Sequence, residues 1–578
     1  MDGKITTTLP NADIYFINPS GIIFGEHASL SVPQSFYLST ADVLRLGTTG
    51  QLNARQPEAS LLTTAAPSAF GFLSDSPSPI TIQSRVLAMQ TGKSLHLIGG
   101  DIRLENTTLF ASDGRINLLS VAQAGEIDLN QTALTPQNIT HFGTITLSHA
   151  ENIPHLAINS KIQLANLDVS GQQGGKIWIR SGQLVIEGGE MFADSYGGNG
   201  QGIEIITEQQ GKLHHARVTA ENLGSGLGGG LTLQVPQLQL DNSTLLTSAR
   251  AAGNAGKVNI QTTQLDMQQS LVGSYSYNAG HSGYIQINAA NALNLQQSSV
   301  STNAQSNSHG NAAGIEIDTP ILTLQQQSLI SSLARGSGSS GDIHIKSEDI
   351  QLTDSSGISN SAQATSTQAA GNLNIETARL KLQRNGTIDS THRGNAHGGK
   401  ITITATDFVQ LNQRNSDNQP SAITSNAYNS ADGGQISIDT PSLNLSDGAV
   451  IQTATLADSM GNAGNITVKT DLLTLDSQAG IIANSGGTGQ GGIINLTARQ
   501  LKLHQAGISS NALNAGASGA LQLHANTLQL FDNSEIQSVA AADGNAGRIA
   551  ITATDLFLTH RSKITAGTRN WNGRRDLN

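Results

Sequence analysis

Apolar residues recur along this chain in short alternating runs, and a glycine-bearing turn opens each run. Val258 and Ile260 follow Gly253-Asn254-Ala255-Gly256. Ile466 and Val468 follow Gly461-Asn462-Ala463-Gly464, and Ile549 and Ile551 follow Gly544-Asn545-Ala546-Gly547. Alternation at period two gives a strand one inward face and one wet face. The first apolar residue after the turn recurs as Ile177, Ile203, Leu231, Val258, Ile285, Ile315, Ile343, Leu373, Ile401, Ile436, Ile466, Ile494, Leu521 and Ile549, a mean step of about 28–29 residues. A second strand follows, as in Leu265/Met267, Leu293/Leu295 and Leu473/Leu475. A weaker third carries Ile358, Ile388, Ile451, Ile482, Ile508, Ile536 and Ile564.

Three short strands per repeat and no helical periodicity predict a right-handed parallel β-helix, about 28 residues and three strands per coil. Each strand pairs with its equivalent one coil on, and the inward Ile, Leu and Val stack into one core. Coils spaced at about 4.8 Å make fourteen of them roughly 65 Å long. Glycine and asparagine are expected where the chain turns with positive φ. The step from Ile401 to Ile436 is long, and the polar stretch Asn415 to Pro420 is the expected outward loop. A propeller blade would repeat at about 40–50 residues with four strands, which this pattern does not do.

Composition adds a compartment. Charged residues make up 13 % and aromatics 3 % of the chain, so the wet faces carry Ser, Thr, Asn and Gln in place of charge. A net charge of −11 disfavours nucleic acid, and the one basic pair, Arg574-Arg575, reads as a solvated tail. The absence of cysteine suits a chain exported unfolded. No apolar run is long enough for a transmembrane helix. Met1-Asp2-Gly3-Lys4-Ile5 lacks the apolar core of a signal peptide, which conflicts with export.

Motifs for chemistry fail on context. Gly224–Gly229 and Gly336–Gly341 both fit G-x-G-x-x-G but open strands, where a nucleotide fingerprint must open a helix. Glu316, Asp318 and Asp342 form the one acidic coil, among the amide- and histidine-bearing positions Asn259, Gln286, His344 and Asn374; solvation explains them. The galacturonase-type Asn-Thr-Asp, Asp-Asp and Arg-Ile-Lys motifs are absent, and only His309-Gly310 matches. The fifteen histidines form no H-E-x-x-H, and His392 and His397 are badly spaced for one metal; all read as solvated. No calcium repeat of the G-G-x-G-x-D type occurs. The sequence thus assigns no catalytic residue, metal or cofactor.

The N-terminal region carries a family resemblance. Asn11-Ala12-Asp13-Ile14-Tyr15-Phe16-Ile17-Asn18-Pro19-Ser20-Gly21-Ile22-Ile23-Phe24-Gly25 resembles the secretion domain of filamentous haemagglutinin-like exoproteins. So do Ser35 to Asp42, Ala69-Phe70-Gly71-Phe72, Leu95 to Ile102, Asp113 to Leu118 and Ser120-Val121-Ala122. The resemblance implies a TpsA-type protein of two-partner secretion, passed to the cell surface by a TpsB-type outer-membrane barrel. The family's Asn-Pro-Asn-Gly-Ile motif stands here as Asn18-Pro19-Ser20-Gly21-Ile22, with serine replacing the second asparagine. Pro19 fixes φ and Gly21 tolerates positive φ, so the motif keeps its turn chemistry.

The expected organisation is a partial secretion domain over 1–150 and a repetitive shaft over 151–578. Relative to the family, a signal peptide and the first part of the domain are expected upstream of Met1. The chain expressed alone is accordingly not expected to be exported. The N-terminal coil and the C-terminal Asn570-Trp571-Asn572-Gly573 are both expected to be uncapped. The expected role is a non-enzymatic adhesin, extracellular or on the outer-membrane surface, that binds an unidentified host, bacterial or glycan ligand through a polar surface. Three alternatives stay open: the stalk of a contact-dependent inhibition toxin, a β-helix polysaccharide lyase or hydrolase, and a remnant without function.

Overall fold

The computed structural model describes all residues except 130–133, 150–165, 364–365, 367, 369, 395, 457–458, 542–543 and 570–578. The domain boundary expected at 150, the turn at Asn570 to Gly573 and the Arg574-Arg575 pair lie outside the described residues. The fold is an all-β parallel solenoid of about 19 turns spaced about 28 residues apart. It divides into two compact units, Met1–Leu271 and Val272–Asn578.

The repeat positions pair as the apolar spacing predicts. In the first unit Ile177, Ile203, Leu231 and Val258 are successive Cα partners. In the second unit the partners run Ile285, Ile315, Ile343, Leu373, Ile401, Ile436, Ile466, Ile494, Leu521 and Ile549. Nearly all of these side chains are fully buried. The stretch Asn415 to Pro420 leaves the coil as an outward loop, and Thr387 still pairs with Ala422 across it.

Strand division differs from expectation. In many coils the first two strands are one continuous strand, as in Val258–Gln268, Lys400–Asn412 and Ile494–His504. They separate at Ser347-Glu348, where no proline stands, and where proline intervenes, at Pro236, Pro320 and Pro441. Proline has no N–H to give the ladder, so the strand breaks there. The freed carbonyl is not wasted: that of Pro441 accepts from Thr470 Oγ1 at 3.1 Å and from the Asp471 and Leu472 amides at 3.0 Å each.

The turn glycines also have a different reason from the one expected. Neither glycine of the three Gly-Asn-Ala-Gly turns has positive φ. They are small because the neighbouring coil's backbone lies against them. A Cβ on Gly464 would sit 1.7 Å from the Gly434 carbonyl oxygen, on Gly492 1.8 Å from that of Gly464, and on Gly256 1.9 Å from that of Gly229. Positive φ falls instead on non-glycine residues after the second strand, among them Asn242, Gln269, Gln297, Gln413 and Asp447.

The core is not wholly aliphatic. One inward column of the third strand is polar: Thr302, Ser332, Asn360, Ser390, Ser425, Thr453, Ser510 and Ser538, all fully buried. Its members donate to the carbonyls of the glycine turns. Ser425 Oγ reaches Gly399 O at 2.8 Å, Thr453 Oγ1 reaches Gly464 O at 2.7 Å, and Ser538 Oγ reaches Gly519 O at 2.7 Å. Thr247 does the same for Gly256 in the first unit, at 2.8 Å. A buried carbonyl left without a donor costs about 1–3 kcal/mol, so this column secures the turns that the glycines allow.

Three substitutions check this account by thermal and denaturant unfolding. Gly464→Ala should destabilise the second unit by about 1–3 kcal/mol or more through overpacking. Gly567→Ala, where a Cβ meets nothing within 4 Å, should leave it nearly unchanged. Thr453→Val, close in shape but without the hydroxyl, should cost about 1–3 kcal/mol.

Candidate functional site

The motif singled out in the sequence forms a tight turn between strands Ile14–Ile17 and Ile22–Phe24. The Gly21 amide donates to the Asn18 carbonyl at 3.1 Å. Asn18 brackets the turn with its side chain: Oδ1 accepts from the Ser20 amide at 3.1 Å, and Nδ2 donates to the Gly21 carbonyl at 2.9 Å. Gly21 has φ +100°, a conformation that L side chains rarely adopt. Pro19 is buried, its carbonyl accepting from Ser78 Oγ at 2.7 Å, while Ser20 is exposed. The asparagine-to-serine departure therefore falls on the solvent side of the turn, and Asn18 carries its internal bonds.

Beside this turn the solenoid has an unusual outer face. Tyr15, Tyr37, His96, Asn117 and Trp178 occupy equivalent outward positions on successive strands. The Tyr15 and Tyr37 rings stack with centroids 4.5 Å apart, and Tyr37 stacks on His96 at 4.1 Å. A five-stranded antiparallel sheet covers part of this face. Its strands, in spatial order, are Leu134–Gln137, Gly125–Leu129, Pro67–Phe72, Val43–Leu46 and Gly50–Asn53. Leu44, Phe70, Phe72 and Ile127 of the sheet cluster with Ile98, Leu119 and Phe142, and Tyr15, Tyr37 and Trp178 pack against that cluster. The sequence signal is the aromatic content of alternate positions that elsewhere hold Asn, Gln and Thr.

Burial sets the electrostatics here. It pushes the His96 imidazole down to about 3, with the nearby Arg115 cation adding to the effect. His96 is therefore neutral, and its Nδ1 accepts from Asn117 Nδ2 at 2.9 Å. Ionic ties hold the appended sheet. Arg45 contacts Glu126 Oε1 through Nε at 2.9 Å and Nη2 at 2.7 Å. Buried Asp42 accepts from the Leu73 amide at 2.6 Å and from Arg55 Nε. Glu208 of a later coil accepts from the Phe142 amide at 3.1 Å and pairs with His141 at 3.0 Å.

Other sequence features find structural roles. Gly224–Gly229 and Gly336–Gly341 lead into strands Leu231–Gln234 and Ile343–Lys346, as the sequence reading requires. Glu316 accepts from Tyr284 at 3.0 Å and Gln286 at 3.4 Å, and Asp342 accepts from the Asn372 amide at 2.6 Å. The view of every histidine as solvated is wrong for His96 and His392. His392 is fully buried, its Nε2 2.9 Å from the Gln368 carbonyl and its Nδ1 accepting from the Gly394 amide at 2.8 Å. Among the described residues no group of three or more His, Cys, Asp or Glu could hold a metal ion.

An acidic group escaped the sequence reading: Asp168 and Glu221 are buried and Asp194 is half-buried, and Asp168 pairs with Phe192 in place of Asp194. Asp168, Asp194 and Glu221 lie on successive third strands or their ends, where single carboxylates in polar runs carry no signal. Burial raises Asp168 to about 6 and Asp194 to about 7, and for Asp194 the neighbouring Glu221 and Asp168 add to the rise. Glu221 is paired with Arg250 at 2.6 Å.

Residues 1–179 match the family model of the TPS secretion domain. The match covers 179 of the 578 residues and supports a two-partner secretion exoprotein of the TpsA type. No curated protein matches the chain. The domain implies interaction with a TpsB transporter and export across the outer membrane. No helix among the described residues is long and apolar enough to cross a membrane.

The neutral His96 gives a pH prediction. A histidine whose folded pKa is depressed stabilises the fold above its unfolded value, and that contribution is lost as pH falls from about 6.5 towards about 3. NMR should show the His96 ring unprotonated in the folded chain at about pH 4–5. His96→Gln should flatten the loss of stability across that window.

Proposed function

We propose that this exoprotein is an adhesin, and that the turn Asn18, Pro19, Ser20 and Gly21 contributes to recognition by its TpsB barrel. The secretion-domain match over 1–179 carries the export half of this reading. The exposed Ser20 tip and the Asn18 bracket support the turn as a rigid recognition feature. The adhesive half rests on the stacking of polar outward residues. Thr402, Ser437, Thr467, Asn495 and Gln522 are Cα partners in register on successive coils of the second unit. Weak hydrogen-bonding contacts repeated at coil spacing add through multivalency. Its organisation is a secretion domain followed by a binding shaft, and its role is not catalytic.

The test of recognition places the variants in the full-length gene co-expressed with its cognate barrel. Asn18→Ala or Gly21→Ala should lower the secreted fraction severalfold, while the purified variants keep their strand content. Undiminished secretion of both would contradict the role of the turn. For adhesion, purified protein on beads should bind host or bacterial cells in a saturable way. Beads that never exceed an uncoated control would contradict it.

One observation favours a second reading, glycan cleavage: burial raises Asp194 to about 7, so a share of the molecules keeps its proton at neutral pH, as a general acid must, whereas Asp168, at about 6, is mostly ionised there. Incubation with acidic polysaccharides, with and without EDTA, tests it. Release of reducing ends or unsaturated products by the parent, and not by Asp194→Asn, would favour cleavage over adhesion.

A further inference from the structure

The outer face of the third strand in the second unit is recessed. Its outward column runs Ser301, Ser331, Ser359, Asp389, Thr424 and Gln452 in register. Residues two places on include Asn303, Ser361 and Thr391. An outward residue of a flat sheet is normally wet, yet Ser331 is 1 % exposed, Asn303 7 % and Thr391 7 %. Leu333, the partner of Asn303, is the apolar member of the second column, and the rest of the trough floor is hydroxyl, amide and the Asp389 carboxylate.

Asp389 organises the floor. Its Oδ1 accepts from Thr424 Oγ1 at 2.6 Å and from Thr391 Oγ1, and its Oδ2 accepts from Ser361 Oγ and, at 3.5 Å, from Ser359 Oγ. Thr424, Thr391 and Ser361 each give their one proton to the carboxylate, while Ser359 lies 2.9 Å from Ser361 Oγ and shares its proton between that oxygen and Asp389. The hydroxyl oxygens are left as acceptors, backed by a negative charge. Two further acceptor-bearing groups of the same face, Ser331 Oγ and Asn303 Oδ1, are buried with no protein partner. At the head of the column Tyr275 donates to or accepts from Ser301 at 3.1 Å and meets Tyr277 edge-on at 6.3 Å. A face rich in acceptors and bounded by aromatic rings suits a ligand made of hydroxyl donors; the Asp389 carboxylate at its centre opposes an anionic one, and the Arg335 cation lies near Tyr275 at its head.

We propose that this trough, centred on Asp389, binds an extended neutral glycan chain laid along the coils. The proposal rests on the adhesive reading and names its site and ligand class. Ser359, Ser361, Asp389 and Thr424 are partly open and would meet the sugar hydroxyls, while the coil spacing of about 4.8 Å repeats the contact for successive sugars.

The test presents cellohexaose, maltohexaose, mannohexaose and, as the anionic control, hexagalacturonate to immobilised full chain. At least one neutral hexasaccharide should be retained and hexagalacturonate should not. Asp389→Asn, which frees the hydroxyl protons, and Thr424→Val should each weaken retention about tenfold, near 1.4 kcal/mol. Thr81→Val, on the other sheet in the first unit, should not. Circular dichroism checks each fold, and Ser361→Ala replaces any variant that fails to fold. Retention of no neutral sugar, preference for hexagalacturonate, or indifference to all the trough variants would overturn the proposal. Cell binding measured in parallel separates the two readings. Cells bound equally by the parent and Asp389→Asn would sink the trough and leave adhesion standing. Cells bound by neither would sink adhesion.

Discussion

The coil-on-coil contact at the glycine turn is the constraint on which the rest depends. There the backbone of one coil lies so close to the next that no side chain fits between them, as at Gly434, Gly464 and Gly492. That closeness would be costly if it stranded the turn carbonyls in the core. The inward hydroxyls of Ser425, Thr453, Ser510 and Ser538 prevent this by donating to them. Glycine outside and hydroxyl inside are two halves of one device. The aliphatic stacks of Ile, Leu and Val then supply the bulk of the burial on either side of it.

The same stacking explains how a secretion domain is built on a repetitive fold. A solenoid coil offers an outward face that is normally hydrated. Where Tyr15, Tyr37, His96 and Trp178 occupy it, the face needs cover, and the chain leaves the coil after Ser39 to build an antiparallel sheet that provides it. The pairing of Phe36 with Leu95 across that excursion shows that the coil resumes in register. The Asn18 to Gly21 turn sits at the edge of this assembly as a braced feature with an exposed tip.

Period, register and core were legible in the sequence because each coil repeats the same demand, and every residue from Ile285 to Ile549 in the repeat series pairs as its spacing implies. The domain motif was legible because its residues are specific. What was not legible shares one physical cause: polar residues look alike whether wet or buried. Thr453 and Ser425 in the core and Asp389 in the trough sit in polar runs like those that coat the outside, and His96 stands at an alternate strand position that elsewhere holds wet Asn, Gln and Thr. The role of glycine was misjudged for a related reason. A sequence shows that glycine is required, not whether φ or a neighbouring backbone requires it.

The central claim is that successive repeats are stacked strands in parallel register. The chain contains no cysteine, so spin labels can be placed without competing sites. Gln286 and Asn495 occupy the same outward position seven coils apart in the second unit. Labels on Gln286→Cys and Asn495→Cys, read by pulsed electron spin resonance, should give one narrow distance near about 34 Å. A broad distribution, or a separation far from that value, would contradict the account.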